Sequence, residues 1–264
     1  MHVAPPDLRA LRQRGLVIRF AMLGPIAFVL AEVPEGGTVE TCMEQPSRLP
    51  HWALVLDGEL TVERDGPPLR VSAGHALYVP GDGSDHHFHA TGGARIAAFQ
   101  PTDPSADLGE SGLAGLGFEI LTPGASDGAA PIIVPALRAG APRAGTIEAR
   151  SWSMPPYAMT TARFGSSSGY TAAWCDAPHW GLVTAGQLVI EYEDDVEMVA
   201  AGDAYYCPAG APAHRLQAAD PATIVDLTPI EALAGDGRVA EWRRAAFARA
   251  DASAQRPVSV VALG

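Results

Sequence analysis

Hydrophobic and polar residues alternate along most of this chain, in short segments separated by glycine, proline and acidic residues. In ELTVERD (59–65) and QLVIEYE (187–193), apolar residues recur at every second position, which is the pattern of a strand with one buried face. Segments 16–23 and 159–164 are apolar or alternating in the same way and predict further strands. The pattern therefore predicts an all-β chain folded as a sandwich or barrel.

A long internal repeat divides the chain. Residues 51–90 align with residues 179–218 without an insertion or deletion, 128 positions apart, and fifteen of the forty aligned residues are identical. A repeat of this length predicts two copies of one domain-sized unit. The identical positions include two pairs of histidines, His51 with His179 and His86 with His214. We expect a first barrel at 1–101, a connector rich in proline, glycine and alanine at 102–143, and a second barrel at 144–264.

A few segments add detail to this β pattern. Residues 237–251 (GRVAEWRRAAFARAD) place apolar side chains at helical spacing and predict a C-terminal helix on the outside of the second unit. Segment 7–14 is a candidate for a shorter helix, and 170–175 predicts a strand. Within the first copy, Gly58 indicates a tight turn between two successive strands.

Composition and charge exclude several classes of function. The net charge is −12, the pI is about 5.0, and all 18 basic residues are arginine. Nucleic acid and anionic membrane surfaces are therefore unsuitable partners, and lysine-based chemistry is excluded. The apolar run 16–33 is interrupted by Arg19 and Glu32, which favours core strands over a membrane span. Three cysteines form no disulfide framework, so we expect a cytoplasmic protein.

Two glycine-to-histidine segments resemble a known family. GHALYVPGDGSDH (74–86) and GDAYYCPAGAPAH (202–214) each have a glycine, five residues, a proline and a following histidine. HWALVLDG and HWGLVTAG have the family's six-residue spacing to a glycine, with histidine in place of its glutamate. In these features the chain resembles the cupin superfamily, and its duplication resembles a bicupin. The resemblance implies two tandem cupin (jelly-roll) barrels, to which the C-terminal helix is added.

The chain departs from the family pattern upstream of these segments. Metal-binding cupins have an H-x-H pair there, whereas this chain has Glu44 and Pro46 in the first copy and Ala172 and Trp174 in the second. The resemblance therefore implies a fold but leaves the metal and the reaction open, because one fold hosts many activities.

The first copy offers a candidate metal site. Glu44 occupies the position of the family's first histidine ligand, and with His51 and His86 it would form a 2-His-1-carboxylate set. Such a set suits non-haem Fe(II), and the same residue types also bind Zn²⁺ or Mn²⁺. His87 or His89 is an alternative ligand if the loop is shifted by one residue. The competing interpretation is a solvated Glu44 and histidines that only line a polar cavity.

The second copy offers a different set. His179 and His214 have their counterparts in the repeat, and Cys175 lies four residues before His179. A His₂Cys set suits Zn²⁺ or Fe²⁺, although an apolar-flanked cysteine is also a common core residue. Without a metal, all four paired histidines remain candidate catalytic acids or bases, namely His51, His86, His179 and His214.

These residues support two main functional hypotheses. The first is a small-molecule enzyme of the oxygenase, isomerase, cyclase or decarboxylase type, using a divalent metal (Fe, Mn or Zn) inside a barrel pocket. The second is a metal-free bicupin that binds or senses a small molecule without catalysis. A structural bicupin with closed pockets is a third alternative. The expected partner is a small-molecule ligand or substrate rather than nucleic acid or membrane, and the expected state is a monomer or homodimer.

Overall fold

Antiparallel strands account for most of the structure, as the alternating pattern predicts. The computed structural model describes residues 2–3, 8–13, 15–38, 51–63, 66–79, 87–101, 132–134 and 142–254. Contacts divide the chain into two units, one comprising residues 1–140 with 202–206 and the other comprising 141–201 with 207–264. The expected connector, 102–143, falls mainly outside the described residues, so its boundaries stay a prediction.

The first unit is built on the bent strand β6. Its strands are β1 (His2–Val3), β2 (Arg9–Gln13), β3 (Leu16–Leu23), β4 (Ile26–Val33), β5 (Gly37–Thr38), β6 (His51–Glu63), β7 (Leu69–Ser72), β8 (Ala76–Val79), β9 (His87–Ala90), β10 (Ala94–Pro101) and β11 (Ile132–Val134). The main order is β11-β8-β6-β10-β4-β3-β2, while β7 and β9 pair with the second half of β6. Inward-facing residues of these strands, among them Val55, Leu60 and Phe88, form one apolar core.

The second unit repeats this arrangement and adds two helices. Its elements are β12 (Ile147–Met154), β13 (Tyr157–Phe164), β14 (His179–Ala185), β15 (Gln187–Tyr192), β16 (Val196–Ala200), β18 (His214–Gln217), β19 (Ala222–Pro229), α1 (Ile230–Ala234) and α2 (Glu241–Ala254). Of β17 (Ala204–Cys207), residues 204–206 group with the first unit and Cys207 with the second. Strands β14, β19, β13 and β12 are neighbours in one sheet, and β16, β15 and β18 form a second. Buried Ala158, Cys175 and Leu233 belong to one apolar cluster, against which Phe247 of α2 packs.

One glycine in each unit carries the chain from one sheet to the other. The first half of β6 pairs with β8 and β10 and its second half with β7 and β9, so Gly58 bends a continuous strand. Gly186 occupies the same position between β14 and β15. Both have φ of +73°, and an added Cβ would lie 2.2 Å from the Gly93 carbonyl oxygen or 2.1 Å from that of Pro221. The turn expected at Gly58 is therefore a bend between sheets rather than a hairpin.

Two local predictions were wrong, and the bounds of a third element differ from those expected. The described residues of segment 7–14 form no helix, because residues 9–13 are extended and pair with β3. The strand expected at 170–175 is a loop joined to the sheet by isolated bridges at Ser168 and Cys175. The C-terminal helix is present, but it begins at Glu241 rather than near 237, and the short helix α1 precedes it.

Not one of the helices in the described part of the chain is both long enough and apolar enough to cross a bilayer.

Candidate metal centre in the second unit

Three side chains from three parts of the second unit meet in its interior. Cys175 lies in the loop before β14, His179 is the first residue of β14, and His214 is the first residue of β18. Their potential ligand atoms all lie within 4.8 Å of one another, and all three residues are buried. The structure therefore brings together the complete set of residues considered for this copy.

Backbone hydrogen bonds fix the loop that carries Cys175. The Cys175 amide donates to the His214 carbonyl at 2.7 Å, and the His214 amide donates to the Cys175 carbonyl at 2.9 Å. The next amide, that of Asp176, donates to the Arg238 carbonyl at 2.9 Å. These bonds hold Cys175 directly opposite His214 although the segment is not a regular strand.

The side chains are close enough to share a ligand. Cys175 Sγ lies 3.0 Å from His179 Nε2, and His179 Nδ1 lies 2.9 Å from Thr228 Oγ1. The rings of His179 and His214 meet edge to face with centroids 5.1 Å apart. Neither ring nitrogen of His214 has a hydrogen-bond partner among the described residues. Because buried polar atoms are almost always paired, an unpartnered imidazole beside a thiol and a second imidazole indicates a ligand-binding site.

Burial keeps this group uncharged near neutral pH. Desolvation, reinforced by the positive charge of Arg243, holds the pKa of His179 well below its usual value and lowers the pKa of His214 to about 3. Desolvation also raises the pKa of the Cys175 thiol. The two imidazoles are therefore in the neutral form that coordinates metals, while the thiol must release a proton to become a ligand.

A buried ion pair lies behind the histidines. Arg243 of α2 is 1% exposed and Asp226 of β19 is 0% exposed, and the Arg243 Nη1 and Asp226 Oδ2 atoms are 2.5 Å apart. Arg243 Nη1 also donates to Thr228 Oγ1 at 3.4 Å, and its guanidinium stacks on the Trp242 ring with 4.3 Å to the centroid. Thr228 thus connects this ion pair to His179.

Asp226, Thr228 and Arg243 are functional candidates that the sequence did not reveal. The C-terminal helix was expected on the outside of the unit, where its arginines would be exposed to solvent. One signal was available: Asp226 interrupts the otherwise apolar strand ATIVDLTP, and a carboxylate in such a strand requires a buried cation or donor.

A tyrosine and a second cysteine line the far side of His214. The Tyr192 ring lies 6.2 Å from that of His214, and the Tyr192 hydroxyl donates to Cys207 Sγ at 3.9 Å. Burial raises the pKa of Tyr192 and raises that of Cys207 to about 12. Cys207 is therefore a protonated core residue outside the group of three.

Most of the candidate metal ligands of the first unit lie outside the described residues. Glu44 and His86 are not among the described residues, and for His51 only the backbone is described, paired with Val79. Of the alternative ligands, His87 is exposed, while His89 Nδ1 lies 3.8 Å from Glu63 Oε1. The first-unit site stays a prediction.

Comparisons with known proteins agree with the architecture. Residues 29–99 match the cupin domain family. No curated protein sequence matches the chain. Among solved structures, oxalate decarboxylase of Bacillus subtilis, a protein with Mn(II) centres, aligns over 87% of this chain and 77% of its own, with a TM-score of 0.61 and 14% identity.

Two further structures align over nearly their full length. AerE from Microcystis aeruginosa covers 84% of this chain and 96% of its own length, with a TM-score of 0.59 and 11% identity. A cupin 2 conserved barrel domain protein from Leptotrichia buccalis covers 87% and 96%, with a TM-score of 0.54 and 10% identity. At these identities the similarity concerns the fold.

Proposed function

We propose that this chain, whose residues 29–99 match the cupin domain family and which has two sheet-rich units, is a metal-dependent small-molecule enzyme of the bicupin type, with its metal in the second unit. The observation that carries this proposal is the convergence of Cys175, His179 and His214 within 4.8 Å in a buried interior. A group so enclosed suits a small molecule rather than a macromolecule.

The donor set fits a divalent metal of intermediate softness. Zinc sites combine cysteine thiolate and imidazole ligands, and Fe(II) accepts the same donors, whereas Mn²⁺ prefers carboxylate and water oxygens. We therefore propose Zn²⁺ or Fe²⁺ rather than Mn²⁺. Such an ion would satisfy one of the two unpartnered, buried ring nitrogens of His214.

The number of ligands favours catalysis over a structural role. Structural zinc sites take four protein ligands, while catalytic sites take three and leave a position for water or substrate. Three donors converge among the described residues. A bound metal would supply Lewis-acid polarisation of a substrate oxygen or activation of oxygen.

The protein's own residues would prepare this chemistry. Burial of all three donors excludes bulk water, and His179 and His214 are held neutral and ready to coordinate. Asp226 balances the charge of Arg243, which would otherwise oppose a cation nearby. The substrate type within the oxygenase, isomerase, cyclase and decarboxylase classes is left open by these residues.

Arg243 also favours the alternative function. Its guanidinium is close enough to lower the pKa of both histidines, and a positive charge there disfavours metal binding. A metal-free bicupin that binds or senses a small molecule through its imidazoles is therefore the second candidate.

Metal analysis of the full chain, purified without an affinity tag from medium containing zinc and iron, tests the proposal. We expect about one equivalent of zinc or iron per chain, lost in Cys175→Ser because a tetrahedral site with two protein donors binds weakly. Cys207→Ser is the matched control, since it changes a buried cysteine outside the group and should keep its metal. Glu44→Ala should also keep its metal.

Two outcomes would contradict the proposal. Metal that persists in Cys175→Ser but disappears in Glu44→Ala would place the centre in the first unit. Protein that contains no metal and gains no thermal stability from added Zn²⁺ would favour the metal-free binder, since a ligand of the folded state must raise its stability.

A further inference from the structure

A continuous series of polar contacts leads from the ion pair of α2 to the thiol of Cys175. Its members are Asp226, Arg243, Thr228, His179 and Cys175, with successive separations of 2.5, 3.4, 2.9 and 3.0 Å. All five residues are buried. Since a buried polar group is costly unless it is paired, such a series is expected to have one preferred direction of hydrogen bonding.

The fold holds both ends of this series. Asp226 and Thr228 are two residues apart on β19, so their side chains share one face of the strand. Arg243 reaches this face from α2, where Asp226 neutralises its charge and Trp242 stacks on its guanidinium. The Arg243 guanidinium is thus fixed from two sides, and Nη1 is left within reach of Thr228.

The direction of the bonds follows from donor chemistry. Arginine only donates, so Thr228 Oγ1 accepts from Arg243; the hydroxyl then has one lone pair for His179 Nδ1–H and one hydrogen that it could instead donate to Nδ1. The contact at the other ring nitrogen distinguishes these two arrangements. A neutral imidazole protonated at Nδ1 offers its Nε2 lone pair, which then accepts the hydrogen of the Cys175 thiol at 3.0 Å. The opposite tautomer would direct Nε2–H at a thiol sulfur, a weak acceptor.

We infer that Thr228, held in place by Arg243, acts as a positioning residue for His179. It favours the Nδ1–H tautomer of the His179 ring and so directs the Nε2 lone pair toward Cys175 and His214. The tautomer stands on the contacts alone, while its consequence for metal binding rests on the proposed function. Thr228 Oγ1 lies 2.9 Å from His179 Nδ1, so it stabilises the form of the ring in which this nitrogen carries the proton. Metal-binding histidines generally donate their second ring N–H to such a partner.

Nitrogen NMR on the metal-free full chain tests the tautomer without any metal. Long-range proton–nitrogen spectra of histidine-labelled protein distinguish Nδ1–H from Nε2–H rings, and His179→Gln identifies the signals of His179. We expect the Nδ1–H form in the parent protein and loss of this single form in Thr228→Val, which preserves the shape of the side chain and removes the hydroxyl. Thr228→Ser should restore it. A parent spectrum of the Nε2–H form, or a Thr228→Val spectrum identical to the parent, would overturn the inference.

Titration with Zn²⁺ and Co²⁺ tests the consequence for the metal. In Thr228→Val we expect affinity to fall about 10- to 100-fold at unchanged stoichiometry, which is the usual effect of losing a ligand's hydrogen-bond partner. Thr228→Ser should bind within a few-fold of the parent. Equal affinity in parent and Thr228→Val would refute this role. A parent protein that binds neither ion would refute the proposed function instead, and the NMR experiment would still decide the tautomer.

Discussion

The last long strands of the two units, β10 and β19, begin and end at corresponding residues of the repeat but differ in what they bury. β10 reads ARIAAFQP and β19 reads ATIVDLTP, 128 positions apart. Where the first unit buries Ala98, the second buries Asp226, and where the first has half-buried Gln100, the second has buried Thr228. Both strands also shift register against their neighbour at the same place. The shift lies between Arg95 and Ile96 in β10 and between the corresponding residues, Thr223 and Ile224, in β19. The fold has thus tolerated a change from an apolar to a charged interior.

The helix α2 explains how the second unit accommodates that charge. It supplies Arg243 to Asp226, and the described part of the first unit contains no helix that could do the same. The difference shows that the histidines shared by the repeat do not define a site by themselves. Burial, and then the charge of Arg243 on a helix outside the repeat, lowers the pKa of both His179 and His214.

Of the variants considered, the one that removes Arg243 of α2 alone should destabilise the second unit most. In Arg243→Met, Asp226 keeps a buried charge without its arginine, and we expect the free energy of unfolding to fall by about 3–5 kcal/mol. Urea unfolding followed by tryptophan fluorescence suits this measurement, because four of the five tryptophans lie in the second unit.

Two further variants sharpen this test. The double variant Arg243→Met/Asp226→Leu should recover most of the lost stability, since it replaces the ion pair by apolar side chains. Arg249→Met, on the exposed side of the same helix, should change stability by less than about 0.5 kcal/mol. A cost below about 1 kcal/mol for Arg243→Met would mean that Asp226 does not depend on this arginine.

Substituting the glycine at the bend between sheets should lower the free energy of unfolding by a similar amount in both units. Gly58→Ala and Gly186→Ala each force a side chain into the left-handed region and against a carbonyl oxygen, and we expect each to cost about 2–3 kcal/mol. Gly66→Ala and Gly210→Ala are controls with positive φ but open space around the added Cβ, and should cost about 1 kcal/mol. Calorimetric unfolding that found the test and control variants equal would show that the close approach is relieved by backbone movement.

Acid should destabilise the metal-free second unit gradually, by an amount that grows as the pH falls below 6.5. His179 and His214 stay neutral in the folded state, whereas in the unfolded chain they take up protons below pH 6.5. The unfolded state then binds more protons, so stability is present above pH 6.5 and falls as the pH decreases toward about 3. Each histidine contributes up to about 1.4 kcal/mol per pH unit.

Unfolding free energies at several pH values between 4 and 6.5 measure this slope. His214→Gln should remove up to about 1.4 kcal/mol per pH unit of it, because one of the two neutral imidazoles is gone. A slope unaffected by His214→Gln would mean that His214 is protonated in the folded protein.

Much of the fold was accessible from the sequence, and the reasons are local. The repeat and the alternation in ELTVERD and QLVIEYE predicted two all-β units, and the matching ends of β10 and β19 follow from that duplication. Segment 7–14 was misassigned because pairing with β3 overrides local preference. Gly58 was misinterpreted because a bend within one strand and a hairpin turn share the same residue type.

The candidate site was only partly accessible. Spacing within the repeat identified His179 and His214 and suggested Cys175, since these residues are close in sequence to the repeated motifs. Thr228 and Arg243 lie 49 and 64 positions after His179, and only the folded arrangement of β19 and α2 brings them to it. Periodicity predicted a helix over 237–251, most of which α2 occupies, but it could not show that one arginine faces inward.

The burial of Cys175, His179 and His214 also limits how fast a ligand can bind and leave. A ligand cannot reach three donors that are at most 2% exposed by diffusion through the native fold, so exchange must await a local opening of the unit. Uptake and release of a metal or substrate would then occur at rates controlled by protein motion rather than by the strength of the bonds alone, and titrations of the folded protein would have to be left to equilibrate.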